Sequence, residues 1–308
     1  MAGLELRHLR YLLAVAENGN FSRAAEELYV SQPTLSQQIK QLENTLGVQL
    51  LDRSGRTVRL TDAGAAFADR ARSALRELAA AERAIEDVRD LSRGHLRLGF
   101  TPTFTSYFVA PLIAELHARH PGISLTVAEM SQDSIEAALL ADDLDVGIAF
   151  IGSPAPGIDA AALFTEHLGL VTSGPRAEAL PNPLPARALA EVHLALLSSD
   201  FLTRTHIDTY FAEHHVDPRI TVEANSVQAL TEIVQRTPLA TVLPDAVTHD
   251  HPHLTPVPLD PPMPTRTVAL LRRDGGYHSA AASAFVQLTH ELVATRGYAP
   301  AGSFSKVQ

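Results

Sequence analysis

Residues 20–64 read NFSRAAEELYVSQPTLSQQIKQLENTLGVQLLDRSGRTVRLTDAG, and this run constrains the fold more than any other stretch. It predicts a helix capped by Ser22 that buries Ala24, Ala25 and Leu28, then a turn at Tyr29 and Val30. A second helix follows, capped by Ser31, with Pro33 tolerated in its first turn. Leu35, Ile39, Leu42 and Leu46 fall at four-three-four spacing, an apolar stripe facing inward. The opposite face carries Gln32, Thr34, Ser36, Gln37 and Lys40, amides and hydroxyls able to meet base edges with a cation for phosphate. Upstream, a helix from about Leu6 to Glu17 is expected to bury Leu9, Leu12, Leu13 and Ala16. Downstream, Leu50 and Leu51 lead into a hairpin turning at Ser54-Gly55 and bearing Arg53, Arg56 and Arg59. A polar helix face alone is equally well a solvated bundle surface. Arginines on a turn beside it suit phosphates or a narrow minor groove and favour a winged helix-turn-helix on double-stranded DNA. In that reading Gln32, Thr34, Ser36 and Gln37 approach base edges and Pro33 meets an apolar one. Lys40 and Arg53 hold phosphates, and Arg56 reaches the minor groove.

The net charge of −10 looks wrong for such a partner, so its distribution matters. Residues 1–61 hold seven Lys/Arg against six Asp/Glu, whereas residues 95–308 hold twelve against twenty-two. The acidity belongs to the C-terminal part, which should repel DNA, so binding relies on a few placed cations multiplied by oligomerisation. Charges interrupt every apolar run, so no membrane span is expected. With no signal-like N-terminal segment, a cytoplasmic protein is expected. The absence of cysteine excludes disulfides, thiolate metal sites and a cysteine nucleophile.

From Thr61-Asp62 a long helix is expected to about Leu91. Phe67, Ala71, Ala74, Leu78, Ala81, Ile85 and Val88 form an alternating four-three seam for pairing with a second copy. Ser92-Arg93-Gly94 then ends the helix. HLRLGF, ISLTVAEM, LDVGIAF, HLGLVTS and HLALLS read as strands, alternating with helical LIAELHARH, DSIEAALLA and IDTYFAEHH, which indicates a parallel α/β sheet. Proline clusters at 181–185 and 258–264 mark loops, Pro111 suggests a helix start near residue 110 after a turn at Thr103–Tyr107, and the tail after Gly297 is expected to be loose.

Four of the strand ends run into hydroxyl-rich helix starts. Each is readable as a helix cap, but together they suggest a shared cleft for a small anion, held by N–H and O–H donors. The candidates are Thr101, Thr103, Ser131, Ser198, Ser199, Phe201, Asn225 and Ser226, with Pro102 and Phe150 limiting the size.

LRHLRYLLAVAENGNFSRAAEEL, SQPTLSQQIKQLE and LGVQLLDRSGRTVRLTDAG, with the length, resemble the LysR-type transcriptional regulators. Within that family TPTFTSYF, EMSQ, LDVGIAF, EANS and ALLRR are similar to the branch that activates cyanate-degradation operons, and Gln37 stands where many other relatives have Arg. The resemblance implies an α+β chain: an N-terminal winged helix-turn-helix, a long linker helix, then two α/β subdomains resembling a periplasmic-binding-protein fold. Residues 1–61 would bind DNA and 62–91 dimerise. Residues 92–163 and 266–300 would form effector-binding subdomain I and 164–265 subdomain II, with crossings near Leu163 and Met263 and a tail at 301–308. It further implies a homodimer or homotetramer, a small-molecule effector with cyanate first among anions, contact with RNA polymerase, and activation.

HDHPH at 249–253 and His214-His215 lack helical ligand spacing and read as surface histidines, and Asp142, Asp143 and Asp145 lack a calcium-loop pattern. No nucleophile elbow, phosphate loop or dinucleotide fingerprint appears, so neither an enzyme nor a cofactor is expected. The competing readings are a LysR-type regulator of another small-metabolite pathway and a cytoplasmic small-molecule-binding module or two-subdomain enzyme with the N-terminus as accessory.

Overall fold

A computed structural model describes residues 3–89, 94–152, 154–249 and 251–300. The chain folds as two compact units, Met1–Glu86 and Asp87–Gln308.

The first unit holds α1 (Leu6–Asn18), α2 (Phe21–Glu27), α3 (Gln32–Leu46), the wing strands β1 (Leu51–Asp52) and β2 (Arg59–Leu60), and most of α4 (Asp62–Arg89). Leu12, Val15, Ala24, Ala25, Leu35, Ile39, Leu42, Leu50 and Leu51 form its core. Four expectations need correction, the first being Leu28, which is only half-buried at the edge of this core. Asn20, not Ser22, caps α2, accepting from the N–H groups of Ser22 and Arg23 at 2.8 and 3.2 Å. Ala14 and Val15 are buried on α1, while Ala16 is only half-buried. Leu46 is exposed, because Gly47 ends α3 in the left-handed region (φ 70°) before that turn reaches the core. His8, which the periodicity did not single out, is fully buried. Its Nδ1 accepts from the Glu5 N–H, leaving Nε2 to donate to Gln38 Oε1 at 3.1 Å and tie α1 to α3.

Helix α4 starts against the wing. Thr61 Oγ1 accepts from the Gly64 N–H at 3.0 Å, and a Cβ on Gly64 would lie 2.0 Å from the Leu50 carbonyl oxygen. The first positions of the expected seam are therefore spent within the chain: Ala71 is buried with Leu9, Leu13 and Ala68, and Phe67 packs on the same cores. Ala74, Leu78, Ala81 and Ile85 stay exposed, Leu78 by 42% and Ile85 by 60%. The Val88 side chain lies outside the described residues, as do Ser92 and Arg93.

In the second unit β3 (Gly94–Phe100) is followed by α5 (Pro102–Phe104), a π-helical turn (Thr105–Val109) and α6 (Ala110–Arg119). Then come β4 (Ile123–Glu129), α7 (Gln132–Ala141), β5 (Val146–Phe150) and the 16-residue β6 (Ile158–Ser173). Next are α8 (Gly174–Ala177), β7 (Leu184–Pro185), β8 (His193–Leu197), α9 (Leu202–Glu213), β9 (Arg219–Ala224), α10 (Val227–Arg236), β10 (Thr241–Pro244) and α11 (Asp245–His249). The last are β11 (Leu254–Val257), β12 (Leu259–Asp260), β13 (Thr265–Arg273), α12 (Ala280–Thr295) and β14 (Ala299–Pro300).

The sheet is mixed rather than parallel throughout. β3 pairs parallel with β4 and β5, but β13 runs antiparallel between β5 and β6. β6 joins both halves: up to His167 it pairs with β13, and from Leu168 with β10 and β11. The first crossing, expected near Leu163, thus lies inside one unbroken strand, and the second lies just ahead of β13. The two proline clusters are not plain loops, because β7 and β12, one from each, pair in parallel. Residues 102–119 run as consecutive helical turns rather than a turn followed by a helix. Pro111 has no N–H for the Tyr107 carbonyl, which instead accepts from Arg296 Nη1 at 3.4 Å, and the π-helical turn absorbs the mismatch. Part of the tail is ordered too: β14 pairs with β6, and Tyr298 stacks on Phe164 at 4.4 Å between centroids. Residues 301–308 lie outside the described residues.

Candidate functional site

The surface expected to meet DNA is built by the cap of α3. Ser31 Oγ accepts from the Thr34 N–H at 3.2 Å and pairs with Thr34 Oγ1 at 2.7 Å, so Thr34 presents a hydroxyl already engaged. Gln32, Pro33, Thr34, Gln37 and Lys40 are exposed and Ser36 is half-buried, while Leu35, Ile39 and Leu42 hold the opposite face in the core. On the wing, Arg53 donates to Glu43 Oε2 at 3.0 Å and lies 5.0 Å over the Phe21 ring. Glu43 Oε1 in turn accepts from the N–H groups of Leu50 and Leu51, at 2.9 and 3.2 Å. Arg53 therefore braces the base of the wing against α3. Ser54 folds the wing by donating its N–H and hydroxyl to Asp52 Oδ1, which holds that carboxyl below its ordinary value. Arg56 and Arg59 are exposed on the turn and its return strand.

The second unit contains a cleft of about 910 Å³. Of the residues singled out in the sequence it gathers Thr101, Pro102, Thr103, Ser131, Phe150, Ser199 and Phe201. Ser198, Asn225 and Ser226 are not in its wall, and Ser226 instead caps α10 by accepting from the Ala229 N–H at 3.3 Å. Ser131 lines the cleft but also caps α7 through the Ser134 N–H at 3.3 Å. Thr101 and Thr103 differ: they are 7% and 2% exposed, and their hydroxyls have no partner. Gln132 links the wall internally, accepting from the Phe150 N–H at 3.3 Å and donating to Glu136 at 3.1 Å.

Sequence reasoning missed the floor. Arg266, at the start of β13, lies 3.9 Å over the Phe150 ring, donates to Thr203 Oγ1 at 2.9 Å and pairs with the buried Glu166 of β6. Glu166 also accepts from the Tyr107 hydroxyl at 2.5 Å. Burial pushes the Glu166 carboxyl up against the pull of Arg266 and Tyr107, and burial beside Glu166 pushes the Tyr107 phenol well up. An arginine flanked by threonines at the start of the returning strand was the available signal. Among the described residues no group of three or more side chains suited to a metal occurs, and no helix is long and apolar enough to cross a membrane.

Residues 6–65 match the family model for the bacterial regulatory helix-turn-helix protein of the lysR family, and residues 89–294 match the LysR substrate binding domain. The chain belongs to the LysR family. It is 31% identical over 307 residues to the DNA-binding transcriptional dual regulator OxyR of Escherichia coli K12, covering 99% of this chain and 98% of that protein. It is 31% identical over 236 residues to the transcriptional activator CmpR of Synechocystis, covering 76% and 77%. Among solved structures, full-length CbnR complexed with its target DNA is similar with a TM-score of 0.53 at 26% identity, covering 94% of this chain and all of that one. This is a LysR-type regulator: a DNA-binding helix-turn-helix followed by an effector-binding domain of the periplasmic-binding-protein type, in a family of regulators rather than enzymes.

Proposed function

We propose that this LysR-type regulator is an activator that reads pseudo-palindromic promoter DNA as a dimer or a pair of dimers and answers to a small effector with an anionic group. One observation carries the effector half: the Thr101 and Thr103 hydroxyls are buried in the cleft wall without a partner. Leaving such a group unsatisfied costs about 1–3 kcal/mol, and a ligand oxygen relieves that cost. In the same reading α3 enters the major groove with Gln32, Pro33, Thr34, Ser36 and Gln37, Lys40 and Arg53 hold phosphates, and Arg56 enters the minor groove. The exposed seam from Ala74 to Ile85 holds two copies, and the bound assembly contacts RNA polymerase in the cytoplasm.

Cyanate comes from resemblance alone. The cleft of about 910 Å³ far exceeds a three-atom anion, on the order of 90 Å³ at about 30 Å³ per water-sized group. A larger anionic metabolite fills it better. A hydrogen-peroxide-inducible genes activator is also among the relatives, but a chain without cysteine offers no thiol for oxidation.

The test is footprinting of the full-length protein on its own upstream region, with cyanate, azide and short mono- and dicarboxylates. A ligand-dependent change in the protected span, lost in Thr103→Val, is the expected result. Indifference to every anion beside a response to a bulky uncharged metabolite would overturn the anion.

A further inference from the structure

Two carboxylates of the cleft have no counter-ion among the described residues. Asp133 stands in the first turn of α7 and Asp200 just ahead of α9, and both are exposed in the cleft wall. Among the described residues neither makes a hydrogen bond or an ion pair. Arg266 is the only guanidinium or ammonium in the described lining, and Glu166 already answers its charge. His206 is turned to its own helix, its Nδ1 2.9 Å from the Leu202 carbonyl oxygen. A bare anion entering this cleft therefore meets two unpaired carboxylates and no free cation. The carboxylates also occupy the positive ends of α7 and α9, where an anion would otherwise be drawn.

We propose that the effector is zwitterionic, its ammonium bridging Asp133 and Asp200 while its anionic end takes the hydroxyls of Thr101 and Thr103. This rests on the effector reading above and adds its charge class. Asp133 rides on α7, which packs on β5, and Asp200 follows β8 in the other half of the unit. Without a cation between them the two carboxylates repel, which favours an open cleft. An ammonium reverses the sign, so the amine itself supplies the differential affinity for a closed state.

The test is calorimetry on the full-length protein with the standard L-α-amino acids, β-alanine and γ-aminobutyrate. Each is compared with its deaminated carboxylate and its decarboxylated amine, and cyanate is included. At least one zwitterion should bind roughly tenfold or more tightly than either fragment, as a charged hydrogen bond implies. Asp133→Asn with Asp200→Asn, both exposed and so tolerated by the fold, should erase the preference over the carboxylate. Thr103→Val should weaken zwitterion and carboxylate alike. Carboxylates or cyanate binding as tightly as their amino counterparts, or a preference unchanged in the double variant, overturns the ammonium assignment and leaves the effector reading standing. A cleft that binds none of these probes overturns both.

Discussion

Arg266 and Glu166 are direct partners across β13 and β6, and their side chains form an ion pair buried between the two strands that cross the effector unit. Tyr107 holds the carboxylate from one half and Thr203 the guanidinium from the other. The pair thus sits on the two strands that run between the halves of the unit.

Removing one partner leaves a buried charge alone, so Glu166→Gln should cost about 3–5 kcal/mol of unfolding free energy. Adding Arg266→Met should recover most of it. The pH dependence has a defined sign. A carboxyl raised in the folded state contributes most stability below its unfolded value near 4.5 and loses it as pH rises through the folded value. Urea titrations from pH 4 upward should show this decline in the native chain and not in the double variant.

On DNA, Gln37→Ala should relax preference at one base pair per half-site by about 1–3 kcal/mol. Lys40→Ala, at a phosphate, should weaken all sequences alike and reduce the salt slope by about one. Because Arg53 is tied to Glu43 and Phe21, Arg53→Ala should add a loss of wing stability to its phosphate effect. Binding isotherms on operator and scrambled DNA at several salt concentrations separate the three. An equal, sequence-independent loss in Gln37→Ala and Lys40→Ala contradicts the division.

Among the described side chains of α4, Leu78 and Ile85 are the large apolar ones left exposed. Leu78→Asp with Ile85→Asp should abolish dimers in sedimentation and specific DNA binding with them, while both units keep their folds. A double variant still dimeric on its operator would place the interface elsewhere.

Gly64 has no room for a Cβ beside the Leu50 carbonyl. Gly64→Ala should shift the start of α4 away from the wing and destabilise the DNA-binding unit by about 1–3 kcal/mol. Melting of that unit should move while melting of residues 87–308 does not.

Local patterns were enough for the winged helix-turn-helix, the linker helix and most strands of the effector unit. Caps, heptad spacing and apolar runs act within a few residues, so Ser31, the stripe from Leu35 to Leu42 and strands such as β5 were legible directly. Thr101 and Thr103 were legible as hydroxyls, but not as hydroxyls without partners, since Ser131 and Ser226 look the same in sequence and are caps. Tertiary structure alone decided where Arg266 goes: its partners Thr203 and Glu166 lie 63 and 100 residues away, and Tyr107, which donates to Glu166, lies 159 away. It also decided that Phe67 and Ala71 pack within the chain, so that Ala74 is the first exposed position of the proposed seam. Burial and charge pairing are properties of what the rest of the chain brings alongside, and no spacing within one segment carries them.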